Sequence, residues 1–211
     1  MIPAAFDYVR AGSAAEAISL ISQHGEDAKF LAGGHSLLPL MKLRLASPSV
    51  LVDIGRVSDL SYIRDAGDHI AIGALTRHMD VETSSVLKEH VPLLAHAAGY
   101  VGDPQVRHRG TLGGTIAHAD PASDLPATTL ALGATSVAQG PSGTREIPAA
   151  DFYLGFLTTA LATPGGVAAY SGADLTGLWA APMPRAWPVT ADMKNLHQAT
   201  IPKTPSNGDS K

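Results

Sequence analysis

Two glycine pairs set the strongest limit on how this chain can fold. The first, Gly33-Gly34, stands in "AKFLAGGHSLLPLMKLRLA", between a short apolar run and a segment that places Leu37, Leu38, Met41 and Leu45 on one helical face. A strand that ends on two residues without side chains and turns at once into a helix leaves its backbone bare where free helix N–H groups converge. Successive amides can then point at one anion, a phosphate or pyrophosphate, and the Ser36 hydroxyl can add a donor. The pattern is neither G-x-G-x-x-G nor G-x-x-x-x-G-K-[ST], and a plain strand-to-helix turn accounts for it equally well.

The second pair, Gly113-Gly114, lies in "TLGGTIAHADPASD", flanked by Thr111 and Thr115 and followed by Ser123 and Asp124 ahead of a helical run. Hydroxyls and a carboxylate beside a phosphate loop suit a sugar or ribityl chain, whose hydroxyls need acceptors as well as donors. Alternatively the glycines form a turn and Asp124 is an N-cap. The surrounding segment, 101–124, has no period, and an aperiodic loop of that length between periodic segments is expected to be functional.

The rest of the first 161 residues carries ordinary local signals. Ser13 and Glu16 make a capping box, and Ala14, Ala17, Ile18 and Ile21 then repeat at helical spacing, which predicts a helix over Ala14–His24 ended by Gly25. "SVLVDIG" reads as a buried strand, and "LSYIRDAGDHIAIGALT" as a hairpin turning at 65–68. Residues 78–99 read as helix with Val86, Leu87, His90, Leu93, Leu94 and Ala97 inward, and Pro92 kinks or restarts it. "SDLPATTLALG" is a short helix capped by Ser123 or Asp124, and "ATSVAQGPSGTREIPAADFY" a hairpin turning at 140–143. Beyond Leu161 the character changes: residues 162–211 hold both tryptophans, six prolines, no glutamate and no period, and are expected to be a disordered tail.

Composition removes several function classes. A net charge of -4 with 16% charged residues offers no basic stripe for nucleic acid. The absence of cysteine excludes disulfides, a cysteine nucleophile, thiolate metal sites and any iron–sulfur cluster ligated by this chain. Nine histidines show no H-E-x-x-H spacing, so no metal site is expected. Ser36 lacks the G-x-S-x-G context of a hydrolase nucleophile, and Asp53, at a strand end, lacks the glycine spacing of a ribose-reading acid. Arg107 and Arg109, around His108, are a small basic patch that suits a solvated loop or a counterweight to phosphate charge. "MIPAAFDYVR" has no signal-peptide pattern, and no run approaches the roughly 18 apolar residues of a membrane span, so a cytoplasmic protein is expected.

Taken together, "LAGGHSLLPLMKLRLASPSVLVDIG" and "GDPQVRHRGTLGGTIAHADPASDLPA" resemble the FAD-binding medium subunit of the molybdenum hydroxylase family, of the aerobic carbon monoxide dehydrogenase type. The resemblance covers residues 1 to about 161 and implies an α+β fold, the FAD-binding domain of the PCMH/vanillyl-alcohol-oxidase type, with the family's C-terminal α+β domain missing. It implies one FAD-binding domain over 1–161, or two small subdomains, about 1–55 and 56–161, and reads 162–211 as an out-of-frame or truncated end. Carried over by motif, the FAD contacts are Ala32, Gly33, Gly34, His35 and Ser36, with Thr111, Gly113, Gly114, Thr115, Ser123 and Asp124; family members commonly have Asn where Thr115 stands. The implied partners are a molybdenum-cofactor large subunit and a 2Fe–2S small subunit, and the implied role is to take electrons from the iron–sulfur subunit and pass them to an acceptor. No catalytic side chain is then required of this chain, because the flavin carries the redox chemistry. The rival reading is a truncated, non-catalytic remnant that serves at most as a docking surface. A stand-alone flavin reductase is disfavoured, because no substrate domain or proton donor is visible.

Overall fold

Strands β1 (Asp7–Arg10), β2 (Ala28–Leu31) and β3 (Val50–Asp53) form a parallel sheet in the order β1-β3-β2. Parallel strands are buried on both faces, which is why β3 reads as the unbroken apolar run Val50, Leu51, Val52. Helix α1 (Ala14–His24) covers one face and buries Ala17 and Ile21 with Phe30, Val50 and Val52. Ser13 caps the helix as predicted, Glu16 N–H donating to Ser13 Oγ at 3.1 Å, while the Glu16 carboxylate reaches one residue past the N-cap and its Oε2 accepts from Gly12 N–H at 2.7 Å. Helix α2 (Leu37–Lys42) covers the other face through Leu37 and Met41 against Leu51. It is shorter than its apolar spacing suggests. Arg44 takes a φ of 58°, so the chain leaves the helix and Leu45 ends 73% exposed instead of sharing the face of Leu37 and Met41. Leu38 is also exposed.

A second sheet is antiparallel. The hairpin β4 (Ile63–Asp65) and β5 (Ile70–Gly73) and the hairpin β6 (Thr135–Gly140) and β7 (Gly143–Pro148) turn where the sequence places them. A two-stranded pair, β8 (Tyr153–Gly155) and β9 (Thr158–Thr159), follows the short helix α9 (Ala149–Phe152). The computed structural model describes residues 2–161 and the backbone of β10 (Leu178–Ala181). β10 lies within the segment expected to be disordered, yet it sits between β5 and β6 and completes the order β4-β5-β10-β6-β7. Four residues among prolines carry no readable period; two open strand edges supply the reason for pairing. The remainder of 162–211 lies outside the described residues.

The helix expected over 78–99 is three helices: α3 (His78–Thr83), α4 (Ser85–His90) and α5 (Pro92–Tyr100). Ser84 starts α4 by accepting from Leu87 N–H at 3.2 Å, and Pro92 opens α5. Of the residues expected inward, Leu87 and Leu94 are buried, while Val86, His90, Leu93 and Ala97 are half-buried. The segment expected to be a long loop, 101–124, holds two helices, α6 (Pro104–Arg107) and α7 (Leu112–His118), before α8 (Asp124–Ala131). Asp103 caps α6 through Val106 N–H at 2.9 Å, and Pro104 occupies its first position. These helices are too short for periodicity to reveal, and their caps decide them. Leu87, Leu94, Leu112, Ile116, Leu125 and Phe152 pack with Ile70 and Ile72 of the second sheet in an apolar cluster separate from that of the parallel sheet.

Candidate functional site

The first glycine pair leaves the carboxyl end of β2, where Ile54 N–H donating to Leu31 carbonyl at 3.0 Å ends the parallel ladder. Gly34 takes a φ of 79°, a conformation that L side chains resist. Helix α2 then begins, with Leu38 N–H donating to Gly34 carbonyl at 3.0 Å. The consecutive backbone N–H groups of Gly33, Gly34, His35 and Ser36 donate no hydrogen bond among the described residues. Ser36 precedes α2 without capping it through its side chain.

The second pair is built differently. Residues 74–78, leaving β5, run alongside 110–113. His78 N–H donates to Gly110 carbonyl at 3.0 Å, Leu112 N–H to Thr76 carbonyl at 2.9 Å and Gly113 N–H to Ala74 carbonyl at 2.8 Å. Arg77 and Thr111 form an antiparallel bridge, and Arg77 Nη1 donates to His108 carbonyl at 2.7 Å. Thr111 caps α7, its Oγ1 accepting from Gly114 N–H at 3.3 Å. The amides of Gly113 and Gly114 are therefore already engaged. What glycine provides here is proximity: a Cβ on Gly113 would lie 2.6 Å from Ala74 Cβ and 2.8 Å from Ala74 carbonyl oxygen.

The two loops touch. A Cβ on Gly33 would lie 2.2 Å from the carbonyl oxygen of Arg109 and 3.0 Å from Gly110 Cα. Between them lies a cavity of about 250 Å³, lined by all of residues 32–36 and by Thr111, Gly113, Gly114 and Thr115. The structure does not bring Ser123 and Asp124 to it; they stand at the start of α8, where Ser123 occupies the N-cap position without a side-chain capping bond. Lys29, Ala74, His78 and His118 also line the cavity, and no sequence pattern pointed to them. For Ala74 and His78 the signal lies in long-range pairing, the register of 74–78 against 110–113; Lys29 and His118 come from β2 and α7.

The ionisable groups in the lining are Lys29, His35, His78 and His118, with no carboxylate, in a chain whose net charge is -4. Burial lowers the pKa of Lys29, with Glu26 pushing it back up. Burial, and then the neighbouring His35, push His78 down to about 4; burial also lowers His118, opposed by Asp120. A wall of neutral and basic groups beside free amides has the chemistry to receive an anion. Arg107, one half of the basic patch, is committed elsewhere: its Nε lies 2.8 Å from Glu82 Oε2 and ties α6 to α3. Among the described residues no group of three or more His, Cys, Asp or Glu side chains converges on a metal position, and no helix is long and apolar enough to cross a membrane.

Residues 4–167 match the family described as the FAD binding domain in molybdopterin dehydrogenase. The chain belongs to this family. It is 50% identical over 161 residues to the carbon monoxide dehydrogenase medium chain of Hydrogenophaga pseudoflava, an alignment covering 76% of this chain and 56% of that one. It is 49% identical over 148 residues to the 6-hydroxypseudooxynicotine dehydrogenase complex subunit alpha of Paenarthrobacter nicotinovorans, covering 70% of this chain and 50% of the relative. Its fold superimposes on reconstituted CO dehydrogenase from Oligotropha carboxidovorans with a TM-score of 0.81 at 40% identity, covering 87% of this chain and 61% of that chain. The chain thus spans about half the length of these curated relatives. FAD is the cofactor of the family, and the α+β fold inferred from the two motifs is the family's fold. The residues present fit that group, because the first glycine loop, whose amides are free, lines a cavity without acidic side chains.

Proposed function

We propose that this chain is the FAD-binding electron-transfer part of a molybdenum hydroxylase complex of the carbon monoxide dehydrogenase type. The observation that carries the reading is the run of unengaged amides, Gly33 to Ser36, in a loop that lines a cavity whose lining holds a lysine and three histidines but no carboxylate. These amides hold the pyrophosphate. Thr111, whose Oγ1 accepts from Gly114, keeps its own hydroxyl proton to donate, and Thr115 offers a second hydroxyl at the same wall. Gly113 and Gly114 let the second loop come close instead of binding through their own amides. A cavity of about 250 Å³ is smaller than the roughly 300–1,000 Å³ of whole-ligand sites, so it suits the phosphate-bearing middle of a dinucleotide. Ser123 and Asp124 would meet only a portion of the cofactor outside it.

Bound FAD would supply the redox chemistry, relaying electrons from an iron–sulfur partner to an acceptor. The chain's own task is to bind and orient the cofactor and to set its electrostatic surroundings. The partners in this reading are a 2Fe–2S small subunit and a molybdenum-cofactor large subunit, the latter bearing the substrate site. Substrate choice resides outside this chain, since it is about equally similar to chains of enzymes named for carbon monoxide and for 6-hydroxypseudooxynicotine. The test is reconstitution of the full chain with FAD, followed by gel filtration and absorbance at about 450 nm, the flavin band. Co-migrating flavin near one per chain is the expected result. A folded protein that retains no flavin at saturating FAD overturns the proposal.

A further inference from the structure

His78 is a buried polar residue to which neither glycine motif assigns a role. It opens α3, is 2% exposed and lines the cavity, yet its Nδ1 is buried without a hydrogen-bond partner among the described residues. The backbone that carries the ring is held against 110–111. His78 N–H donates to Gly110 carbonyl at 3.0 Å, while Arg77, the preceding residue, bridges Thr111. The Cδ2–Nε2 edge lies against Gly110, where a Cβ would meet those atoms at 2.6 and 2.8 Å. Gly110 is also the residue whose Cα a Cβ on Gly33 would meet at 3.0 Å, so the imidazole, Gly110 and the bare amides of the first loop are contiguous. His35, within the first loop, acts on the ring electrostatically.

Burial and the neighbouring His35 keep this imidazole neutral at physiological pH, so it carries a single N–H. A proton on Nδ1 would be a buried donor with nothing to receive it, whereas an unpaired lone pair there is tolerated more easily. The proton therefore resides on Nε2, at the edge beside Gly110. We propose that His78 is a cofactor-binding residue whose Nε2–H donates to an anionic phosphate oxygen of the dinucleotide seated on the Gly33 to Ser36 amides. The inference rests on the FAD reading and adds to it a specific side-chain donor. A neutral donor on a ring already buried and packed against Gly110 binds phosphate without placing a cation in the cavity wall and without ordering a side chain on binding.

The test uses the full chain labelled with 15N-histidine, with FAD, ADP and riboflavin as probes. Long-range 1H–15N spectra at pH 7 should show His78 protonated on Nε2, with that resonance shifting on saturation by FAD or ADP and holding still with riboflavin, which lacks phosphate. His78→Phe should weaken FAD and ADP binding about 10-fold, and His78→Gln, which restores an N–H donor, should recover most of the loss. An Nδ1-protonated ring, a resonance that ignores FAD and ADP, an equal shift with riboflavin, or parental FAD affinity in His78→Phe overturns the proposal. Should His78→Phe fail to fold, the spectra of the unaltered chain decide alone. FAD binding with a silent His78 overturns this assignment and leaves the function standing; failure of the unaltered chain to bind either FAD or ADP overturns both.

Discussion

Gly33→Ala adds a single methyl group at the point where the two glycine loops meet, and its effect can be worked out from the geometry. The new Cβ would stand 2.2 Å from Arg109 carbonyl oxygen and 2.9 Å from its carbonyl carbon, where ordinary van der Waals contact begins at 3.4 Å. Both obstacles are backbone, so no side chain can swing aside, and one loop must retreat by more than an ångström. Gly33 does not take a positive φ, so alanine brings no conformational strain, and its restriction of the unfolded chain stabilises by about 0.4–1 kcal/mol. Overpacking costs about 1–3 kcal/mol, leaving a net loss of up to about 2.6 kcal/mol and a fall in Tm of up to about 10 °C for a chain of this size. The amides move with the loop. Losing even one charge-assisted hydrogen bond, worth about 1.5–3 kcal/mol, weakens FAD by roughly 10- to 100-fold. Thermal unfolding followed by circular dichroism and FAD titration followed by flavin fluorescence measure the two effects. Gly114→Ala is the comparison: its Cβ would meet only the Thr111 hydroxyl, at 2.7 Å, which can rotate away at the loss of a cap worth about 1 kcal/mol. A Gly33→Ala protein with parental Tm and parental FAD affinity would refute the close approach of the loops.

Three further outcomes follow from the structure. The pKa of His78 falls from 6.5 in the unfolded chain to about 4 when folded, so the native state binds fewer protons in that interval; stability from this group is whole above pH 6.5 and drains as pH drops toward 4, by about 3 kcal/mol. Urea midpoints between pH 7 and 4 should show that decline, and His78→Phe should flatten it; an equal slope in the variant would assign the acid lability elsewhere. Arg107→Met strands the partly buried Glu82 carboxylate and frees α6 from α3, at about 1–2 kcal/mol between the exposed and buried limits for broken ion pairs, measurable by urea unfolding with Glu82→Gln closing a double-mutant cycle. Trp179→Pro removes a backbone donor at a position of β10 that faces Ile72 on one side and Ser136 on the other, and should cost about 3 kcal/mol with faster amide exchange along β5 and β6; unchanged exchange would remove β10 from the sheet.

Much of the architecture was readable because it is encoded locally. The Ser13 and Glu16 capping box predicts both ends of α1 once Gly25 is added, and the turn glycines Gly140 and Gly143 mark the β6–β7 hairpin. The glycine pairs pointed to a phosphate loop for the same reason: a missing side chain is a local fact with a local consequence. Other features could not be read in this way. The breaks at Ser84 and at α6 and α7 rest on caps within helices too short for periodicity to show. The parallel order β1-β3-β2 and the insertion of β10 between β5 and β6 depend on which edges are open once the chain has collapsed. The two glycine pairs look alike in the sequence, and only their tertiary surroundings tell them apart. Gly113 and Gly114 have their amides engaged by Ala74 and Thr111, whereas the amides from Gly33 to Ser36 stay free. Residue types alone dictate that the backbone is bare at two places. Packing decided which of them keeps its amides free, because that depends on the segment that lies against the loop, and that segment comes from elsewhere in the chain.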